Sequence, residues 1–385
     1  QLLKFKTYEE KQAYENNFSQ WAKGKPEYEN IFSDYQKNYE AWTPYAKHRM
    51  YLREGILGSP LLAFASSLQS LESALVKTGA AAADIKKAAD AADNARKTFL
   101  ESEDKPSDEK ILAAVLLAFY NDIDKSQHPV GLFENIKSNF GDLKDEATFK
   151  KFAADVFAKT MVFDDARWTA FIASPDANAL QADPAFATAT GFVKNYNTKY
   201  GPLFSSFNAK NNELGRSYMK GIMEMNPAAV KKMYPDANFS MRVSFGNVKS
   251  YKPRDAVFYD YVTTSKGILE KYKAGDYEFD LPAKQVELLK KKDFGQYADK
   301  TRKDLVVGFI TTNDITGGNS GSPVIDGNGN LIGLAFDGNY EALSHKIAFD
   351  KDLNRTICVD VRYVLWCVDK LGGAKNIIDE LKLVR

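Results

Sequence analysis

The run Thr316-Gly317-Gly318-Asn319-Ser320-Gly321-Ser322-Pro323 is the segment of this 385-residue chain whose residue types best suit covalent chemistry. A serine hydroxyl is a weak nucleophile until a base takes its proton and nearby amides receive the charge that develops on the attacked carbonyl. A glycine ahead of the serine lets the backbone turn so that the N–H groups of Gly318 and Ser320 point the same way. Gly321 leaves room beside the hydroxyl. The pattern therefore nominates Ser320 as a nucleophile and the amides of Gly318 and Ser320 as an oxyanion hole. The competing reading is a polar, glycine-rich hairpin loop.

A nucleophilic serine needs a general base and a carboxylate to orient that base. The chain has three histidines, His48, His128 and His345. His48 falls in a helical pattern among Tyr, Lys and Arg, His128 precedes Pro129 in a loop, and His345 lies in a polar loop after Ser320. All three read as surface or capping histidines, so the base and its carboxylate are expected on sequence outside this chain. The serine motif resembles the G-[DN]-S-G-[GS]-P signature of chymotrypsin-like serine peptidases. In trypsin-like members a carboxylate six positions before the serine, as Asp314 is before Ser320, floors the S1 pocket and selects Lys or Arg. The alternative is a loop carboxylate that caps backbone amides. Asp337-Gly338-Asn339 follows the next strand pattern and should flank the same cleft. A carboxylate there suits a substrate ammonium, and a glycine leaves a pocket open.

These residues must be positioned by strands. Residues 305–310, 322–325 and 331–336 read as three β-strands, with Asp326-Gly327-Asn328-Gly329 as a hairpin turn between the last two. Residues 240–245 and 256–259 also read as strands, and 264–273 and 283–291 as short helices. Upstream, residues 1–235 read as helix after helix. One example is 107–120, with Ser107 as N-cap and Ile111, Leu112, Val115, Leu116 and Phe119 on one face. Residues 80–97 are alanine-rich and read as an exposed helix packed on small residues. The last 25 residues return to helix. The expected organisation is α+β: a large all-α domain over 1–235, acting as a lid, and a β domain over 236–385 carrying Ser320.

Composition narrows the class. The 52 Lys plus Arg against 51 Asp plus Glu give a formal net charge of +1, which argues against a general nucleic-acid surface. Aromatics make up 13%, enough for several packed cores. The two cysteines, Cys358 and Cys367, exclude a disulfide scaffold and read as buried thiols. No His/Cys spacing suits zinc, so no metal or other cofactor is expected. No apolar run reaches the length of a membrane-spanning helix.

The segments 312–324 and 331–339, together with Tyr234-Pro235-Asp236-Ala237-Asn238, Pro253-Arg254-Asp255-Ala256 and residues 355–363, resemble the dipeptidyl-peptidase 7 and dipeptidyl-peptidase 11 family of Gram-negative bacteria. The resemblance implies a helical domain inserted into a chymotrypsin-like double barrel, whose second barrel carries Ser320. It implies a serine exopeptidase that releases dipeptides from oligopeptides, with Asp337 holding the substrate's N-terminal ammonium. Position 338 would tune the S1 pocket. Gly338 goes with hydrophobic P1, as in type 7, in a pocket walled near Ala335, and arginine goes with acidic P1. Because both types share the aspartate matching Asp314, a basic P1 is not expected. The resemblance further implies a periplasmic or secreted homodimer, and a chain that is the C-terminal portion of the enzyme and inactive alone. The alternatives are an endopeptidase of the same clan and a non-catalytic binding protein with a degenerate peptidase half.

Overall fold

The computed structural model describes residues 2–4, 6–231, 233 and 240–384. The segment 234–238 that contributes to the resemblance lies outside the described residues. The chain forms two compact units, one of residues 24–222 and one combining 1–23 with 223–385. The division differs from a boundary at 235. The first helix, Thr7–Ala22, belongs with the C-terminal unit, and the helical unit ends within the long helix Gly201–Met225.

The unit 24–222 is all helical. Its helix starts follow from short polar side chains that accept the first free N–H groups. Asp145, Asp164 and Asp176 each accept from one such N–H. Asp183 accepts from the N–H of both Ala185 and Phe186, with Pro184 at the first helical position. The core is aromatic and leucine-rich, with Ile56, Leu61, Leu112, Leu116, Phe119, Phe149, Phe186 and Phe192 wholly or almost wholly buried. In the helix Lys105–Asp122 the cap is Asp104 rather than Ser107, because Pro106 suits the first turn and draws the start forward. Ile111 is exposed, whereas Leu112, Leu116 and Phe119 face the core. The alanine-rich segment is the helix Ala82–Ser102, largely exposed and packed through the small residues Ala89 and Ala92.

The other unit carries the β structure. A hairpin pairs β1 (Tyr251–Arg254) with β2 (Val257–Tyr259). The main sheet is antiparallel throughout and contains β3 (Val262–Thr264), β4 (Val306–Thr311), β5 (Pro323–Ile325), β6 (Leu331–Gly338) and β7 (Thr356–Asp360), in the order β3-β4-β7-β6-β5. Residues 240–245, expected as a strand, form none. Their one regular continuation is a single bridge from Val248 to Thr311. Ser244 instead donates its hydroxyl to the Asp314 carbonyl at 2.9 Å. The turn at 326–329 is built by Asp326, which accepts from the N–H of Asn328 and Asn330, with Gly329 at φ 86°. A second small core, Leu289, Phe294, Tyr297, Leu305 and Trp366, packs the short helices against the start of β4. Cys358 is buried on β7, and burial pushes its thiol up to about 11. Cys367 is half-buried, and both are free thiols. Among the described residues no helix is long and apolar enough to cross a membrane, and no three His, Cys, Asp or Glu side chains cluster as metal ligands.

Candidate active site

Ser320 sits on the loop that joins β4 to β5, and β6 lies beside it. The loop is held at both ends by backbone. Gly321 donates to Ala335 at 2.7 Å, and Ala335 donates back to Ser322 at 2.8 Å. Within the loop, Asn319 donates its N–H to the Thr316 carbonyl at 3.1 Å, and Thr316 donates to the Asn319 side-chain oxygen at 2.9 Å. Gly318 at φ 96° and Gly321 at φ 81° occupy backbone conformations that residues with a Cβ rarely adopt. Ser320 is exposed, and its hydroxyl donates to the Phe336 carbonyl at 3.3 Å. Among the described residues, the N–H groups of Gly318 and Ser320 donate to no protein acceptor. Two amides beside an exposed hydroxyl are the donors an anionic oxygen would need.

A cavity of about 350 Å³ opens beside Ser320. Asp314, Phe336, Asp337 and Gly338 line it, as do Ala342, Leu343, His345, Lys346 and Phe349 from the segment after β6. Ser320, Asp337 and Gly338, singled out from sequence, are therefore brought to one cavity, as is Asp314. Gly318 is two residues from Ser320 on the same loop. Asp337 is exposed, and its Oδ1 accepts the Gly338 N–H at 2.7 Å. The apolar wall includes Phe336, a strand residue next to Ala335 as expected, although Ala335 itself is buried and does not line the cavity; the turn Tyr340–Ser344 adds Ala342 and Leu343.

That turn is fixed by a polar cluster that sequence reasoning missed. Asn339 is buried, and its Oδ1 accepts from the N–H of Ala342 at 3.1 Å and of Arg355 at 2.9 Å. Its Nδ2 donates to Glu341 at 2.9 Å, which also accepts from the Tyr251 hydroxyl at 2.8 Å. Burial pushes the Tyr251 hydroxyl up to about 12. The Arg355 guanidinium is buried too. It donates to the carbonyls of Lys249, Ser250, Lys351 and Asn354 and lies over the Tyr251 ring. These contacts link three segments far apart in sequence, so no local signal announces them.

Of the histidines expected at the surface or as caps, His48 departs from that reading, whereas His128 bonds the carbonyl of Ile123, the cap residue that ends the helix Lys105–Asp122. His48 is fully buried in the helical unit among Phe119, Tyr196 and Tyr200, and burial pushes it down to about 4. His128 is half-buried and bonds the Ile123 carbonyl at 2.9 Å through Nε2. Burial lowers it as well. His345 lines the Ser320 cavity, with Nδ1 3.0 Å from Asp314 Oδ1. No imidazole among the described residues hydrogen-bonds the Ser320 hydroxyl.

The loop between β4 and β5 thus places an exposed hydroxyl and two amides with no protein acceptor beside a carboxylate and a cavity at the end of β6. The chain matches the peptidase S46 family model over residues 1–383 and belongs to that family. It is 38% identical over 396 residues to dipeptidyl-peptidase 7 of Capnocytophaga gingivalis, covering 100% of this chain and 52% of that one. It is 37% identical over 385 residues to an Asp/Glu-specific dipeptidyl-peptidase of Flavobacterium psychrophilum, covering 97% of this chain and 51% of that one. The crystal structure of Porphyromonas endodontalis DPP11 with the dipeptide Arg-Glu superposes with a TM-score of 0.83 at 25% identity, over 98% of this chain and 53% of that one. The chain thus spans about half the length of the curated relatives it matches. The two kinds of relative match equally well, so overall identity does not choose between them.

Proposed function

We propose that the whole protein is a serine dipeptidyl-peptidase and that Ser320 is its nucleophile. The observation that carries this reading is the exposed Ser320 hydroxyl beside two unengaged amides in a chain of the S46 family. In the reaction Oγ attacks the scissile carbonyl and its proton passes to a general base. The N–H groups of Gly318 and Ser320 hold the oxyanion. The amine leaves with a proton, and water then releases the dipeptide from the acyl-enzyme. The five-stranded sheet is, on this reading, the second half of a chymotrypsin-like double barrel. Asp337 holds the substrate's N-terminal ammonium, which restricts cleavage to the second peptide bond. Gly338 leaves the cavity open to an apolar P1 side chain, whose burial contributes roughly 1.5–3 kcal/mol. The same reading extends to an exported, periplasmic or secreted homodimer acting on oligopeptides.

The test is turnover by the whole protein. Ser320→Ala should lower kcat by on the order of 10⁴-fold or more with the fold intact. Unblocked dipeptidyl substrates should be cleaved and N-acetylated ones refused, and Asp337→Ala should weaken that preference. An alanine variant with undiminished turnover refutes the assignment of Ser320. Equal cleavage of blocked and free peptides favours an endopeptidase.

A further inference from the structure

Asn339 directly follows Asp337 and Gly338 at the end of β6 and is only 6% exposed. Its side chain makes all four hydrogen bonds that a primary amide can make. Oδ1 accepts the N–H of Ala342 at 3.1 Å and of Arg355 at 2.9 Å. Nδ2 donates to Glu341 Oε2 and to the Leu353 carbonyl, both at 2.9 Å. Backbone N–H groups only donate and a carbonyl only accepts, so the amide has one orientation. The Asn339 N–H also donates to the Arg355 carbonyl at 2.9 Å. Glu341 is buried and takes the Tyr251 hydroxyl on the same oxygen, which anchors the cluster to β1. The cavity residues fall on either side of Asn339, with Asp337 and Gly338 before it and Ala342 and Leu343 after it. Pairing with β7 holds Asp337 and Gly338, and it stops there. Past the strand, the Asn339 amide ties the turn back to the sheet.

We propose that Asn339 is a positioning residue that fixes the Asp337 carboxylate and the Ala342–Leu343 wall at one separation; the substrate roles of both rest on the dipeptidyl-peptidase reading above. An exopeptidase needs that separation. The ammonium and the P1 side chain belong to one short peptide, and both must be seated while the scissile carbonyl meets Ser320. Misplacement by about 1 Å can cost on the order of 10²-fold in rate. A buried polar network with every member satisfied supplies the rigid support such placement requires. All polar atoms of the Asn339 side chain are engaged within the protein, so it acts through its neighbours rather than on the substrate.

The test compares two reactions of Ser320 in the whole protein. Diisopropyl fluorophosphate has neither an ammonium nor a peptide side chain, so it depends on the hydroxyl, its base and the oxyanion amides alone. A peptide substrate depends on Asp337 and the wall as well. Asn339→Ala should lower kcat/KM for an unblocked dipeptidyl substrate at least tenfold, mainly through KM, and leave the labelling rate within about twofold. Asn339→Ser keeps an acceptor for the Ala342 N–H at the start of the turn, and it is read the same way if the alanine variant does not fold. Hydrogen exchange over residues 336–344 follows the segment itself. It should quicken at least tenfold in either variant, with 316–322 unchanged. Unchanged kcat/KM or unchanged exchange overturns the proposal. So does labelling that falls in proportion to peptide turnover, which would make Asn339 a general support of the fold. If exchange quickens while the wild-type whole protein releases no dipeptide, the positioning of this segment stands and the dipeptidyl-peptidase reading fails.

Discussion

At the scale of single residues, Gly338 shows how tightly the candidate pocket is built. A Cβ placed on it would lie 3.2 Å from the Cβ of Ala342, so the neighbour must give way by a few tenths of an ångström. Ala342 is buried in the turn Tyr340–Ser344, whose cap residue Asn339 is itself bonded to Arg355, so that movement is resisted. Overpacking of this kind typically costs 1–3 kcal/mol. Gly338→Arg should therefore lower the melting temperature, and it should shift P1 preference from Leu towards Asp only partially. Adding Ala342→Gly should restore most of the stability and enlarge the shift. Thermal melts, together with kcat/KM for a matched Leu and Asp substrate pair in the whole protein, check both halves. Equal melting temperatures for Gly338→Arg with and without Ala342→Gly would show that this contact carries no strain. Ser320, Asp337 and Gly338 were legible because local spacing on one loop and one strand end brings them together. His345 and Ala342 were not, because a short turn fixed by Asn339, Glu341 and Arg355 decides where they point.

At the scale of elements, the helical unit holds two groups, one buried and one half-buried, that are shifted in opposite senses. His48, on the helix Ile31–Met50, is held neutral by burial with its pKa near 4. Its folded value lies below its unfolded value of about 6.5, so the unfolded state binds more protons between the two. The stability it contributes is present above pH 6.5 and is lost as pH falls towards 4, by on the order of 3 kcal/mol. Among the described residues neither ring nitrogen lies within hydrogen-bond geometry of a partner, and the Gln127 side chain offers only a weak one, so His48→Leu should be nearly neutral or stabilising at pH 7. It should also flatten the loss of stability between pH 6.5 and 4, as read from urea midpoints. An unchanged slope would mean that other groups carry the acid lability. Glu103, before the helix Lys105–Asp122, is pushed up to about 7 by burial first and by neighbouring Asp108 second. Asp108 is committed to the structure, since it accepts the Leu61 N–H at 2.7 Å at the start of the helix Pro60–Ser67. Here the folded value is raised, so stability falls as pH rises from about 4.5 through 7. Glu103→Gln should raise stability above pH 7 by about 1–2 kcal/mol, after allowance for partial exposure, and leave it little changed below pH 4.5. A variant no more stable than the wild type at pH 8 would count against the buried carboxyl pair. Helix periodicity announced these elements, but the approach of Glu103 to Asp108 is set by the short turn between two helices, and the aromatic cage around His48 by packing between helices, which no single helix encodes.

At the scale of the whole molecule, the residues singled out for chemistry all fall in one unit, the one combining 1–23 with 223–385. The sequence pattern separated helical from β structure correctly in outline. The contribution of the helix Thr7–Ala22 to the β-containing unit was not readable, because the contacts that assign it join residues more than 200 positions apart. That unit supplies a hydroxyl, two amides and a carboxylate, and it leaves the hydroxyl donating to the Phe336 carbonyl rather than to an imidazole. At rest the hydroxyl bonds a carbonyl and no imidazole among the described residues, and a serine nucleophile without a base is slower by on the order of 10⁴ to 10⁶. The 385-residue chain taken by itself should therefore react with a fluorophosphonate probe at Ser320 only at the slow rate of an unactivated serine. His345 does not alter this expectation while its Nδ1 is held by Asp314 and its ring makes no bond to Ser320. Intact mass measured over time, with Ser320→Ala as the blank, gives the rate. Fast stoichiometric labelling that disappears in His345→Ala would identify His345 as the base and overturn its assignment to the pocket wall.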